Sequence, residues 1–474
     1  MLRYCLKGIA LILILMACNN TNKEATEAKY TFTGADGEVK LIVIAPGHFH
    51  ASLLQKSGLS QVDDTVFVYA PDGVEVEQYL SNIDSYNNRE ENPTNWNEIV
   101  YKGDDFLDKF KINTEGNVVV LAGNNRDKTE YIITAIEAGK NVLSDKPLAI
   151  NSEDFIILEE AYQIADLEGL YLYDMMTERY DLLNIIEKEL IGNSDFFGTL
   201  QTGTPDDPAV YMESVHHFYK EVSGVPLIRP AWYYDVEQQG EGIADVTTHL
   251  IDQLFWKCFP DEAINYRNDI GYVAASHWPT EVTLDNYKLS TGSESFPDYL
   301  QKDVENSVLK VNANGTLNFE VKSHHAELKV LWNWQAPVGG GDSFSSVIKG
   351  TKAILKTLQS ADHNFVKQLF VQKPEGMDEI EFSENLKNAI DKLQEKYSFI
   401  SFTQTSNVGE YLINIPIENR EGHESHFTYV AESFFNYLVN RNMPDWEISN
   451  TIAKYYLTTK AVESAQINNR NNDK

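Results

Sequence analysis

Cysteine is scarce in this chain, with three residues in 474 at Cys5, Cys18 and Cys258. So few thiols, so widely spaced, exclude a disulfide scaffold. The fold must be held by its core, for which the length is ample. Positive charge is also short: 39 Lys and Arg face 71 Asp and Glu, a net charge of −32. Phosphate binding needs a basic face, so nucleic acid is excluded as a partner and a polyanionic substrate is disfavoured. No His/Cys/Asp set has the spacing of a zinc site, so no metal is expected. The neighbours His324 and His325 sit in an alternating run, where they point to opposite faces. Long apolar runs are missing too. The first, Gly8 to Met16, is far shorter than the ~20 residues that span a bilayer. Aromatic residues, by contrast, are plentiful, which suits either sugar stacking or an ordinary core.

That short run follows Arg3 and Lys7 and closes on Leu15-Met16-Ala17-Cys18, a signal-peptide pattern. The closing tetrad resembles the lipobox of bacterial lipoproteins. The resemblance implies removal of residues 1–17, lipidation of Cys18 and a place in the cell envelope, on the periplasmic side or the outer-membrane surface. Residues 18–36 would be a polar tether, and the anchor would be the sole contact with the membrane.

Beyond the tether, short apolar runs alternate with helical patterns. Residues 40–44, Val66 to Tyr69, Val118 to Leu121 and Asn141 to Leu143 read as buried strands, and Ala51 to Leu59 and Lys128 to Ala138 as helices. Such alternation means parallel βαβ units with ligand sites at the strands' C-terminal ends. The polar stretch Asp84 to Asn97 reads as an inserted loop. After Tyr180 come a helix at Leu182 to Leu190 and long alternating runs, Val308 to Ala313, Thr316 to Val321 and Ala326 to Trp334, of antiparallel strands. Helices return near residues 382–396 and 424–440. The expected fold class is α/β: a Rossmann domain at 37–178, then an α+β domain at 179–465 on a large, mainly antiparallel sheet. A frayed tail at 466–474 completes it.

The first strand leads into a turn where a dinucleotide pyrophosphate would sit. The G-x-G-x-x-G spacing is filled by Ala45, Gly47 and His50, so only the middle glycine is present. Where the second strand should end in a ribose-binding acid stands Ala70, with Asp72 two residues on. This leaves NAD or NADP open.

Two segments are more specific. Ala138-Gly-Lys-Asn-Val-Leu-Ser-Asp145-Lys146-Pro147 resembles the segment ending in glutamate-lysine-proline of the glucose–fructose oxidoreductase/inositol dehydrogenase (Gfo/Idh/MocA) family, with Asp145 in place of glutamate. Gly240-Glu-Gly-Ile-Ala-Asp245-Val-Thr-Thr-His249-Leu-Ile-Asp252 resembles the same family's glycine-rich, aspartate–histidine signature. Thr177 to Tyr180 lies where the family has an arginine–aromatic pair. After Asn124 the family commonly carries a histidine at the head of the next helix, and Lys128 stands there instead. The likeness covers about residues 40 to 260, and the remainder is similar to the C-terminal domains of exported Bacteroidetes-type relatives.

The resemblance implies an NAD(P)-dependent oxidoreductase acting on a sugar or glycoside hydroxyl. Lys146 would meet the reacting hydroxyl, His249 would be the base, and Asp245 its partner or a substrate ligand. An ammonium beside a developing alkoxide and an imidazole that takes the proton are what such chemistry requires. Gly47, His48, His50, Asp72, Asn124, Asp145 and Lys146 are the cofactor candidates. Arg179, His216, His217 and Trp232 are the substrate candidates. An exported enzyme meets no free dinucleotide pool, so a tightly held, recycled cofactor is expected. Release of a glycoside's leaving group by oxidation, elimination and re-reduction fits the same residues, and a non-catalytic glycan-binding lipoprotein would need none of them. Homo-oligomerisation is left open. The bet throughout is that the lysine of one domain meets the histidine of the other.

Overall fold

The computed structural model describes residues 29–222 and 225–472, so the signal segment and Cys18 lie outside the described residues. Six strands form the first sheet: β1 Leu41–Ile44, β2 Thr65–Ala70, β3 Asn97–Lys102, β4 Val118–Leu121, β5 Asn141–Ser144 and β6 Leu172–Asp174. All pair in parallel, in the order β3-β2-β1-β4-β5-β6. β1, β4 and β5 are buried on both faces, which is why they read as unbroken apolar runs. The order reverses between β1 and β4, and the crevice at that switch is where open α/β sheets bind ligands.

Alternate residues of β1 feed two cores. Leu41 and Val43 pack with Val76, Tyr79 and Ile83 of helix α1 (Val74–Asn88). Ile42 and Ile44 pack with Ile132 and Ile136 of α2 (Lys128–Glu137) and Leu158 and Ala161 of α3 (Ser152–Leu167). Asn151 caps α3 by accepting from the Glu153 and Asp154 amides. The stretch Asp84 to Asn97, read as a loop, begins with the end of α1 and stops at the first residue of β3. β3 escaped notice because it is an edge strand with no buried residue. The helix expected over Ala51 to Leu59 shrinks to one turn, His50–Leu53.

The second sheet is built on β7 Val210–Tyr219, β8 Ile270–Thr283, β9 Val308–Val321, β10 His324–Gln335, β11 Ser343–Lys349, β12 Ile354–Gln359, β13 Gln368–Gln372, β14 Ser401–Gln404 and β15 Glu410–Asn414. Their order is β8-β9-β10-β7-β11-β12-β13-β15-β14, antiparallel except where β10 runs parallel to β7. Its core face is covered by α4 (Leu182–Gly192), α5 (Thr247–Cys258) and α6 (Glu379–Gln394). The fold class read from sequence is thus borne out.

The C-terminal segment departs from the expected domain division. Helix α7 (Ser425–Asn440) lays Phe427, Val430, Phe434 and Leu438 onto the first domain's core. Helix α8 (Asp445–Asn472) straddles both units: Tyr455 enters the first domain's core, while Ala453, Leu457 and Ala461 enter the second's. The tail is anchored where fraying was expected, since Gln466 donates to Glu241 at 3.2 Å and Asn468 to the Ala275 carbonyl at 3.0 Å. At the other end Phe32, assigned to the tether, is buried in the first core. Both ends carry apolar contacts too sparse to show as periodicity. No helix among the described residues is long and apolar enough to cross a membrane.

Candidate active site

β5 delivers Asp145 and Lys146 to the crevice, and the Lys146–Pro147 peptide is cis. From the second domain comes the turn Gly242–Asp245, joined at Val246 to α5. Gly242 is required there by close approach: a Cβ would collide with the Ala313 carbonyl of β9. Pressed onto the sheet in this way, the turn holds Asp245 against the first domain. Lys146 Nζ donates to Asp245 Oδ1 at 2.5 Å, both side chains being nearly buried. Asp245 Oδ2 accepts from Gln239 at 3.0 Å. Burial alone would raise the Asp245 carboxyl, but the Lys146 ammonium outweighs it and holds the carboxyl below its usual range.

One turn further along α5, His249 is half-buried, and its buried Nδ1 has no hydrogen-bond partner. Burial first, then the Lys146 ammonium, pushes its pKa down to about 3, so the imidazole is the free base at neutral pH. The lysine and histidine of the two domains therefore do meet in one electrostatic neighbourhood. Asp245, however, is engaged by Lys146 and Gln239. The first carboxylate acting on His249 in the opposing sense is Glu178, followed by Asp252. Glu178 resists its own burial because Lys367 Nζ donates to it at 2.8 Å and because His249 and His423 lie near, which keeps it ionised. His423 Nδ1 stands 3.7 Å from Glu178 and reaches solvent. Glu178 went unnoticed in the sequence, although it adjoins Arg179 in the quoted Thr177–Tyr180 segment.

A wall of side chains from the second sheet stands beside Asp245. His216 stacks on Trp332 with ring centres 5.0 Å apart. Arg229 lies over Tyr233 at 4.4 Å and over Trp332 at 5.2 Å. Asp342, from the glycine loop after β10, is held by His216 Nδ1 at 3.3 Å, His217 Nδ1 at 3.1 Å and Lys220.

At the turn after β1, the Gly47 and His48 amides both donate to the Ala122 carbonyl, at 3.1 and 3.2 Å. Gly123 must lack a side chain, because a Cβ would strike the Ala45 carbonyl. The single following turn of helix supplies little of the dipole a longer helix would offer a phosphate. His50 Nδ1 instead meets Asp145 Oδ2 at 2.9 Å. Lys128 is buried behind this pair and donates to the Asp145 carbonyl at 2.9 Å and to Asn125 at 2.6 Å. Desolvation lowers its pKa to about 8. Asn124 donates to Gln238 at 2.8 Å, bridging the domains, and Asp72 is exposed beyond β2.

Residues 186–466, more than half of the chain, match the family described as "Putative oxidoreductase C terminal domain". A crystal structure described as a putative oxidoreductase from Parabacteroides merdae is 46% identical over 93% of this chain and 100% of that one, with a TM-score of 0.91. The chain belongs to this oxidoreductase family. No curated protein is significantly similar to it. More remote structures share its fold. A putative myo-inositol dehydrogenase from Sinorhizobium meliloti is 13% identical, with a TM-score of 0.52 over 91% of this chain and 98% of that one. A levoglucosan dehydrogenase bound to NADH and L-sorbose is 12% identical, with a TM-score of 0.55 over 90% and 97%.

Within this oxidoreductase some candidate residues fall elsewhere than expected. Arg179, taken for a substrate ligand, is spent inside the protein: Nε and Nη2 bind Asp252 at 2.7 and 2.6 Å, and Nη1 binds Glu447 at 2.7 and 2.9 Å. It clamps α5 and α8 to the domain crossover. Trp232 is buried, and the rings next to His216 and Arg229 are Trp332 and Tyr233. The expectation of no metal site meets one cluster, His48, His50 and Asp145, whose donor atoms all lie within 4.8 Å of one another. It was invisible in the sequence because Asp145 is 95 residues from His50.

Proposed function

We propose that this oxidoreductase acts on a hydroxyl of a sugar or glycoside with a tightly held NAD or NADP. The carrying observation is the meeting of Lys146 from the first domain with Asp245 of the second, beside His249, whose buried Nδ1 lacks a partner. Burying an imidazole nitrogen without a partner is costly, so its retention points to a group that arrives with the substrate. Sugars are favoured by the Trp332, Tyr233, His216 and Arg229 wall, and by the names of the remote neighbours that handle polyols and anhydrosugars.

The residues fit a dinucleotide at two places. Gly47 and Gly123 pack backbone to backbone at the switch point, so no side chain stands between the turn after β1 and the end of β4. Lys146 and Asn124 stand at the reactive end, and Asp72 is free to meet a ribose. When bound, the nicotinamide accepts and returns a hydride. The chain's own part is the proton. Lys146, fixed by Asp245, faces the oxygen on which negative charge develops. Neutral His249 is in the form that accepts the hydroxyl proton. A base with so low a pKa holds a proton only briefly, and ionised Glu178, with partly exposed His423 behind it, offers the way out to solvent.

Heat-denaturing the purified enzyme and assaying the supernatant for NAD(H) and NADP(H) tests this. Near-stoichiometric release supports the proposal; absence of nucleotide, with none bound on titration, refutes it. Export and lipidation at Cys18 belong to the same proposal, and Cys18→Ser should move the protein from the membrane to the soluble fraction.

A further inference from the structure

The turn that replaces a glycine-rich cradle places two imidazoles and a carboxylate in one spot. His50 Nδ1 is 2.9 Å and His48 Nδ1 3.9 Å from Asp145 Oδ2, and the donor atoms of all three lie within 4.8 Å. A tetrahedral ion with bonds of about 2.0–2.1 Å sets its donors roughly 3.4 Å apart, between those two spacings. We infer that His48, His50 and Asp145 form a binding site for a divalent transition-metal ion of the zinc type.

The donor set is the kind such ions select, borderline nitrogen with one carboxylate oxygen. His48 Nδ1 already acts as an acceptor, taking a long 3.3 Å bond from the His50 amide that an ion would replace. Supporting contacts fix the other ligands. The Asp145 amide donates to Leu121 at 2.7 Å and its carbonyl accepts from Lys128, while the His50 ring packs on Phe427 with centres 4.5 Å apart. His48 is partly open to solvent and offers an entry path, whereas Asp145 is buried. Two ammonium groups stand near and would oppose a cation. Lys146, however, is paired with Asp245, and Lys128 sits behind the Asp145 carbonyl rather than at its carboxylate. Three protein donors leave a fourth position for water or an oxygen of a bound molecule.

The inference does not depend on the redox reading, since metal content and released dinucleotide are separate measurements. Untagged full-length enzyme, stripped with a chelator, is titrated with Zn²⁺ and, for its visible absorption, with Co²⁺. One equivalent per chain is expected, with tetrahedral-type Co²⁺ bands. His50→Ala and Asp145→Asn should each weaken binding by about 100-fold or more. His48→Gln, at a partly exposed position, serves if either of those fails to fold. Weak binding indistinguishable from the His48→Ala/His50→Ala double variant overturns the inference and leaves a plain His50–Asp145 hydrogen bond. Stoichiometric binding that survives the ligand substitutions overturns it equally.

Discussion

Replacing Arg179 with Met separates a structural guanidinium from a substrate-binding one. The side chain joins two carboxylates through four bonds of 2.6–2.9 Å, and both acids are nearly buried. Burial would raise the Asp252 carboxyl, yet Arg179 and then Lys454 bring its pKa down to about 2. Relative to about 3.9 in an unfolded chain, that drop is worth about 2–3 kcal/mol. Lys454 remains 3.2 Å from Asp252 in the variant, so Glu447 loses more. Removing one partner of a buried pair costs about 3–5 kcal/mol, a fall of roughly 3–5 °C in Tm for a chain of this size. The pH dependence carries a sign. In the native enzyme the Asp252 pKa is depressed, so its contribution is full above about pH 4 and is lost as pH falls through about 2. In the variant a buried carboxylate without its counter-charge titrates high, so its penalty is full at neutral pH and relieved by acid. Thermal unfolding at pH 7.5 and pH 5 should therefore show the Tm gap narrowing at the lower pH. Arg179→Met/Asp252→Asn/Glu447→Gln should recover most of the loss. A Tm gap under about 2 °C with activity abolished would refute the reasoning and return Arg179 to the substrate.

Lys146→Met should leave Tm within a few degrees and lower kcat by about 100–1000-fold, the usual cost of losing a charge-stabilising donor; a retained kcat would remove Lys146 from the chemistry. Glu178→Gln should leave His249 without its ionised neighbour, so kcat falls and its pH profile shifts, while the Lys367 and Asn184 contacts keep the fold. An unchanged pH profile would count against the relay. Gly242→Ala forces a Cβ into the Ala313 carbonyl and should give an insoluble protein or one destabilised by more than about 3 kcal/mol. Wild-type stability by denaturant titration would show that the turn can lift off β9. Deleting residues 441–474 removes α8 from two cores and should abolish soluble expression.

Local patterns revealed those parts of the molecule whose buried faces are contiguous in the chain. β1, β4 and β5 are four-residue strands buried on both sides, and no other structure accommodates such runs so cheaply. Lys146, Asp245 and His249 stood out because each lies in a segment with a recognisable order of residue types. β3 did not, since an edge strand buries nothing, and the short turn at His50 was taken for a helix because its apolar residues have helical spacing without helical length. Glu178 was hidden for a different reason: a carboxylate next to an arginine looks like a surface pair until the arginine is seen turned inward.

The sequence by itself determined the fold class, the switch-point crevice and the motifs that carry Lys146, Asp245 and His249, because hydrophobic period and turn chemistry are local. Tertiary structure decided the partners. It gave Asp245 to Lys146 and left Glu178 to face His249, turned Arg179 into a clamp, brought Asp145 to His48 and His50, returned α7 to the first domain and shared α8 between the two. Charge pairing falls off over a few ångströms of space, and distance along the chain does not measure it.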